Sequence, residues 1–267
     1  MRTLVIVCIL AALLPWRAAA AEKYTWEDLQ VLAEEGAWAE LLDHARDIRP
    51  SQRKGEWKTW VENGALAAVK AAGTEGDAAA TFALAEDLLT RFAALKSSSG
   101  FMAARAEAGL KNFRRCFAER RASLDACLDG LTSFAASQAA TPGLALKAAA
   151  VAHRHVNEPY VMPLYLLAAQ DKGDPSACAA PGLRRATLRS LVESEPKASV
   201  VAARRVAFEL CWPDLKAPVL AAFSDSPLGS SFQANTCGPL TDRGLLNGLR
   251  ADICKHMAEK GELFPPS

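Results

Sequence analysis

The stretch FMAARAEAGLKNFRRCFAE, residues 101–119, decides how the chain is read. Met102, Ala106, Gly109, Leu110, Phe113 and Phe117 recur at intervals of three and four, which puts them on one face of a helix. Arg105, Lys111, Arg114 and Arg115 fall on the opposite face. Cys116 sits beside Phe113 and Phe117 near the end of this helix, and Cys127 sits near the start of the next helical stretch, Leu124–Gln138. A bond between the two cysteines staples a helical hairpin and adds about 3 kcal/mol by restricting the unfolded chain. An all-α fold built from paired helices is the expectation.

Helical signals continue on both sides, and no stretch reads as a strand. Thr25 is an N-cap for Trp26–Glu35, with Asp28 at the third position of a capping box and Gly36 as the stop. Ala37–Arg49 follows and ends at Pro50. Ser51 is placed to cap Gln52–Ala72, a helix weakened by Gly55 and Gly64. In Ala78–Phe92 the residues Phe82, Ala85, Leu88, Leu89 and Phe92 form one apolar face. Beyond Gln138, Thr141-Pro142 reads as an N-cap followed by proline in the first turn of a helix that reaches about Val156. Pro159 disfavours helical geometry at Glu158. Shorter helices are expected at Tyr160–Gln170, Gly182–Val192, Ala198–Leu210 and Asp214–Phe223. After the irregular stretch Ser224–Gly238, Leu240–Glu259 is the last.

Two stretches resemble HEAT-type repeats. VAARRVAFELCWPDLKAPVLAAF, residues 201–223, has the pattern of a helix, a proline turn and the first helix of a next repeat. AAVAHRHVNEPYVMPLYLLAA, residues 149–169, has the same shape, and its Pro159/Pro163 pair parallels Pro213/Pro218. EEGAWAELLDHARDIRPSQRKGEW, residues 34–57, is similar to part of a TPR: a glycine-x-aromatic turn, an alanine-bearing helix and a following proline. The resemblance implies stacked antiparallel helical hairpins, a HEAT/TPR-like α-solenoid that presents a surface. It implies no reaction. A short amphipathic helix cannot hide its apolar stripe alone, and stacking buries it. No compositional linker divides residues 22–267, so one α-helical repeat domain is expected, with a subdivision near residues 138–142 as the alternative.

The first residues read as an export signal. Arg2 supplies positive charge, Thr3–Leu14 is an apolar core too short to span a bilayer, and Ala18–Ala21 offers small residues for cleavage after Ala21. Cys8 lies too early, behind bulky Val5-Ile6-Val7, to suit lipidation. Loss of residues 1–21 removes Arg2 and Arg17 and no acid. The balance of 31 basic to 30 acidic residues becomes 29 to 30, a net charge of −1. Such a chain does not bind nucleic acid by bulk charge. No later segment is apolar enough to remain in a membrane.

Cys116, Cys127, Cys178, Cys211, Cys237 and Cys254 remain, an even set that suits disulfides in an exported protein. Six cysteines allow 15 pairings, of which neighbour pairing is the simplest: 116–127, 178–211 and 237–254. None lies in C-x-x-C, and the wide, irregular spacing does not suit zinc.

Four groups carry candidate chemistry. AHRHVNEPYV, residues 152–161, holds His153, His155 and Glu158. Residues two apart on a helix point to nearly opposite sides, so one ion cannot easily take both imidazoles. His155 joins the apolar face of Leu144, Ala148 and Val151, His153 lies on the flank, and Glu158 is free to pair with either. Ser194-Glu195-Pro196-Lys197 matches S-x-x-K, but Pro196 breaks the helix that this chemistry needs and no S-D-N or K-T-G follows. Lys111, Arg114, Arg115, Arg120 and Arg121, with Arg184, Arg185, Arg189, Arg204 and Arg205, form basic sets that suit an anionic polymer or a solvated helix face. Trp57 and Trp60, three apart beside Trp26 and Trp38, suit a partner platform or packing between helices. No catalytic residue, metal site or cofactor is assigned. The expected function is that of an exported, non-catalytic scaffold or adaptor. It binds a protein partner, with Trp57, Trp60, Arg114 and Arg115 as the contact residues. The alternatives are an enzyme centred on His153, His155 and Glu158, and a binder of an anionic envelope polymer.

Overall fold

The computed structural model describes residues 23–74, 76–120, 122–137, 140–170, 175–192 and 197–224. The expected leader, most of the Ser224–Gly238 stretch, the Leu240–Glu259 helix, Cys237, Cys254, Arg121 and Ser194-Glu195-Pro196 lie outside the described residues. Among the described residues there are eleven α-helices and no strand. The described residues divide into two compact units, one up to Gly64 and one from Ala65 onward.

In the first unit, α1 (Trp26–Glu35) opens on the expected capping box. Thr25 N–H donates to Asp28 Oδ2 at 2.7 Å, and Asp28 N–H donates to Thr25 Oγ1 at 3.3 Å. Gly36 closes the helix in the left-handed region, φ 71°. The helix α2 (Trp38–His44) packs on α1 and is shorter than the periodicity suggested. The next helix, α3 (Glu56–Thr74), of which the part up to Gly64 belongs to this unit, starts four residues later than expected, after a 3₁₀ turn at Pro50–Gln52. The reason is local. Arg53 donates through Nε to the Ile48 carbonyl at 2.8 Å and through a terminal nitrogen to the Arg46 carbonyl at 2.7 Å. These bonds satisfy the loop carbonyls without a helix, and Gly55 takes φ 53° to turn into α3. Leu29, Leu32, Leu41, Leu42, Ile48, Trp57 and Val61 are buried here.

The second unit contains α4 (Ala78–Arg91), α5 (Ser99–Glu119), α6 (Leu124–Ala136), α7 (Leu144–Ala152), α8 (Met162–Gln170), α9 (Pro175–Cys178), α10 (Pro181–Val192) and α11 (Ala198–Ser224). Asp77, Ser98 and Ser123 cap α4, α5 and α6 through their side chains. Helix α5 packs on α4, α6 and α7. Gly109 makes room for a side chain of α6: a Cβ there would overlap the ring of Phe134. Arg105 departs from its expected exposed position and is buried. Its Nε donates to Glu86 of α4 at 2.6 Å and its guanidinium lies 4.8 Å from the centre of the Phe134 ring. A paired arginine can thus occupy a buried stripe that periodicity assigns to water.

Helix α8 lies at the centre of the packing, against α6, α7, α9, α10 and α11. Met162, Leu164, Tyr165, Leu166 and Ala168 are all buried, as a helix surrounded by other helices requires. Helix α7 begins at Leu144, not at Pro142, because Gly143 takes a left-handed φ of 72° as its N-cap. It ends at Ala152, well before Val156, and a 3₁₀ turn at Glu158–Val161 leads into α8. The two helices expected at 198–210 and 214–223 form one kinked element, α11. The break falls at Cys211, φ −120° and ψ 16°, two residues before Pro213, whose ring cannot follow a regular turn.

Two disulfides join Cys116 to Cys127 and Cys178 to Cys211, the pairings that adjacency predicts. The first closes the α5–α6 connection. The second ties α9 to the kink of α11. Among the described residues, no helix is long and apolar enough to cross a membrane.

Candidate functional site

The end of α7 separates the two histidines of AHRHVNEPYV. His155 is exposed rather than partly buried, and its ring lies flat on Phe117 of α5, with centroids 5.4 Å apart and planes 4° apart. The early end of α7 at Ala152 takes His155 off the helical register that would have placed it in the apolar face. His153 turns the other way. Its Nε2 lies 3.3 Å from Glu158 Oε1 and 3.0 Å from a terminal nitrogen of Arg185. Glu158 is held at the start of the 3₁₀ turn, and α10 brings two guanidiniums to it: Arg185 Nε at 3.3 Å and Arg189 Nε at 3.6 Å. Arg185 and Arg189 are four apart, so they share one face of α10.

His153 and Glu158 are mostly covered, with side chains 19% and 25% exposed, while Arg185 and Arg189 are 55% and 70% exposed. Tyr165 of α8 is buried nearby, and burial holds its phenol above the ordinary tyrosine range, with Arg185 acting in the opposite direction. Gly182 gives the tyrosine room, since a Cβ there would overlap the Tyr165 hydroxyl. The carboxylate of Glu158 faces two cations and an imidazole. That arrangement fastens the turn after α7 to α10. It leaves Glu158 poorly placed as a general base, because both carboxylate oxygens already face guanidiniums of the fold. Among the described residues, no three His, Cys, Asp or Glu side chains cluster as metal ligands would.

The tryptophans divide as well. Trp57 is buried, and its Nε1–H donates to the Ala45 carbonyl at 2.9 Å, so this side chain packs the first unit and offers no face to a partner. Trp60 is half-buried and meets Trp26 at a ring separation of 4.8 Å, which leaves part of the pair at the surface. The basic sets are similarly broken up. Lys111 pairs with Glu107 at 3.0 Å, and Arg115 with Glu119 at 2.7 Å and Asp77 at 3.7 Å. The hydrogen bond to Glu119 strengthens the hold of Arg115 on its proton. Arg204 is buried and donates to the Ser190 carbonyl at 3.1 Å, so it is not part of an exposed stripe. Arg114 is exposed. Lys197, from the S-x-x-K match, is exposed, 3.5 Å from Asp125 and 4.9 Å from the centre of the Tyr160 ring.

One cluster went unrecognised in the sequence. His44 Nδ1 lies 3.0 Å from Asp47 Oδ2, the ring of Tyr24 stacks on His44 with centroids 3.7 Å apart, and the Tyr24 hydroxyl donates to Glu40. The hydrogen bond from His44 holds the Asp47 carboxyl below the usual aspartate range. The spacing His-x-x-Asp at a helix end was the available signal. Its contacts are those of a clasp that fixes the chain before α1 to the end of α2. The chain matches no protein-family model, no curated protein and no solved structure.

Proposed function

We propose that the chain is an exported, non-catalytic helical scaffold or adaptor that binds a protein partner outside the cytoplasm. The observation that carries this reading is that the histidine–glutamate constellation is engaged in contacts within the fold. Glu158 is shared by Arg185, Arg189 and His153, and His155 is stacked away on Phe117. Export is supported by two disulfides in a helical chain and by the leader-like first residues. The stacked-hairpin arrangement belongs to the same proposal. It is supported by the packing of α1 on α2 and of each helix from α4 to α10 on the next. With Trp57 buried and Arg115 held in surface ion pairs with Glu119 and Asp77, Trp60 and Arg114 remain as the partner-facing residues among Trp57, Trp60, Arg114 and Arg115.

The test is photocrosslinking in the exporting cell, with a photoreactive residue at Trp60 or Arg114 and a control at buried Leu131. One discrete adduct from an exposed position, competed by excess unlabelled chain and missing from the control, supports the adaptor. No adduct from either position overturns the assignment of these two residues.

An enzyme is the second reading, favoured by the 3.3 Å approach of His153 to Glu158. It requires Glu158 to leave its guanidiniums when substrate arrives. A turnover assay that loses activity in both His153→Gln and Glu158→Gln, with the fold intact, would establish it.

A further inference from the structure

Three polar atoms at the end of α7 cannot all be satisfied in one protonation state. Arg185 has only donors, so its approach to His153 Nε2 at 3.0 Å requires a lone pair there, and the imidazole is then neutral with its proton on Nδ1. In that state the 3.3 Å contact between Nε2 and Glu158 Oε1 sets acceptor against acceptor. His153 Nδ1 is buried with no hydrogen-bond partner, so nothing on that side holds the tautomer. A proton on Nε2 reverses the preference: the contact to Glu158 becomes a charge-assisted hydrogen bond, and Arg185 faces a donor and a positive charge.

We propose that His153, Glu158 and Arg185 form a proton-operated latch between the turn after α7 and the exposed face of α10. With a neutral imidazole, Arg185 bridges Nε2 and Glu158. When His153 takes up a proton, Nε2 keeps Glu158 and Arg185 swings into solvent. Arg189 stays on Glu158 Oε2, so α10 remains attached while one guanidinium becomes free. The side chain of Arg185 is already 55% exposed, so its release opens no cavity.

The other charged groups around the latch are accounted for. On the α7 side, Arg154 is exposed and His155 is turned onto Phe117. The 3₁₀ turn contributes Glu158 alone. Helix α8 contributes Tyr165, which stays protonated because burial raises its pKa. Helix α10 contributes Arg184, Arg185 and Arg189, all exposed. Two outcomes compete for the proton: Glu158 draws it to Nε2 and Arg185 repels it. The latch resolves the competition by moving the side chain with the most room.

The test is nuclear magnetic resonance on the full exported chain with ¹⁵N-labelled histidine and arginine, titrated through the histidine range. The expected result at high pH is the Nδ1–H tautomer of His153 and a slowly exchanging proton on the Arg185 terminal nitrogen that meets Nε2. As His153 takes up a proton, exchange of that Arg185 proton should rise about tenfold, the loss of one hydrogen bond made by a charged group. In His153→Gln, Arg185 should show no such step; in Glu158→Gln the step should remain, because a protonated Nε2 still offers Arg185 no lone pair; and Arg189 should show none in the wild type. An Arg185 signal unchanged while His153 titrates overturns the latch. So does a step that persists in His153→Gln, or an Nε2–H tautomer at high pH. A circular dichroism spectrum matching the wild type shows that each variant is folded, and failure of either one leaves the wild-type comparison of Arg185 with Arg189 to decide.

Discussion

Deleting the two disulfides separately should cost different amounts, and the difference is set by loop length. The Cys116–Cys127 bond spans 11 residues of sequence and Cys178–Cys211 spans 33. The chain-entropy relation then assigns about 3 kcal/mol to the first and about 4 kcal/mol to the second, a gap of about 1 kcal/mol. The packing losses nearly cancel in the comparison. Each bond has one fully buried sulfur residue, Cys127 at 1% exposure and Cys211 at 0%, and one half-buried partner. Both bonds lie in the second unit, so they constrain the same unfolding transition. Paired alanine variants, Cys116→Ala/Cys127→Ala and Cys178→Ala/Cys211→Ala, avoid orphan thiols. Urea unfolding followed by circular dichroism gives both the midpoint and the slope. The slope should steepen in both variants, more so for the longer loop, because an uncrosslinked denatured chain exposes more surface. Equal losses, or a larger loss for the shorter loop, would refute the entropic account. The bond at the α11 kink would then act through native-state geometry instead.

Three further outcomes follow from single contacts. Glu86→Ala leaves the buried Arg105 guanidinium without its carboxylate; since Glu86 is itself 42% exposed, the loss should be about 2 kcal/mol, read by urea unfolding of the second unit. Trp57→Phe keeps most of the buried ring but removes the donor to the Ala45 carbonyl, and should cost about 1 kcal/mol by tryptophan fluorescence of the first unit. Asp47 has a depressed pKa in the folded chain, because His44 donates to it, so its contribution is present above the unfolded value and is lost as pH falls through the folded value. Unfolding midpoints of the first unit should therefore drop from about pH 4 downward, and Asp47→Asn should flatten that part of the profile. An unchanged acid limb in Asp47→Asn would remove the His44–Asp47 clasp from the stability of that unit.

What the sequence by itself determined is what short-range physics controls. Thr25, Asp28 and Gly36 set both ends of α1 through bonds made within a few residues, and the structure keeps them. The 116–127 bond was legible because two helix ends separated by a short turn are near each other in any packing. The helical class followed from apolar spacing alone. The positions that escaped are those whose neighbours come from far along the chain. Arg105 looked solvent-facing until Glu86 and Phe134 arrived from α4 and α6. Glu158 looked like a free carboxylate until α10 placed Arg185 and Arg189 beside it. Trp57 suited a partner platform or packing between helices, and its burial with the N–H on the Ala45 carbonyl decides for packing. Local patterns report which face of a helix is apolar. Only the tertiary structure decides which charge finds a partner, because pairing depends on elements whose separation in sequence carries no information about their distance in space.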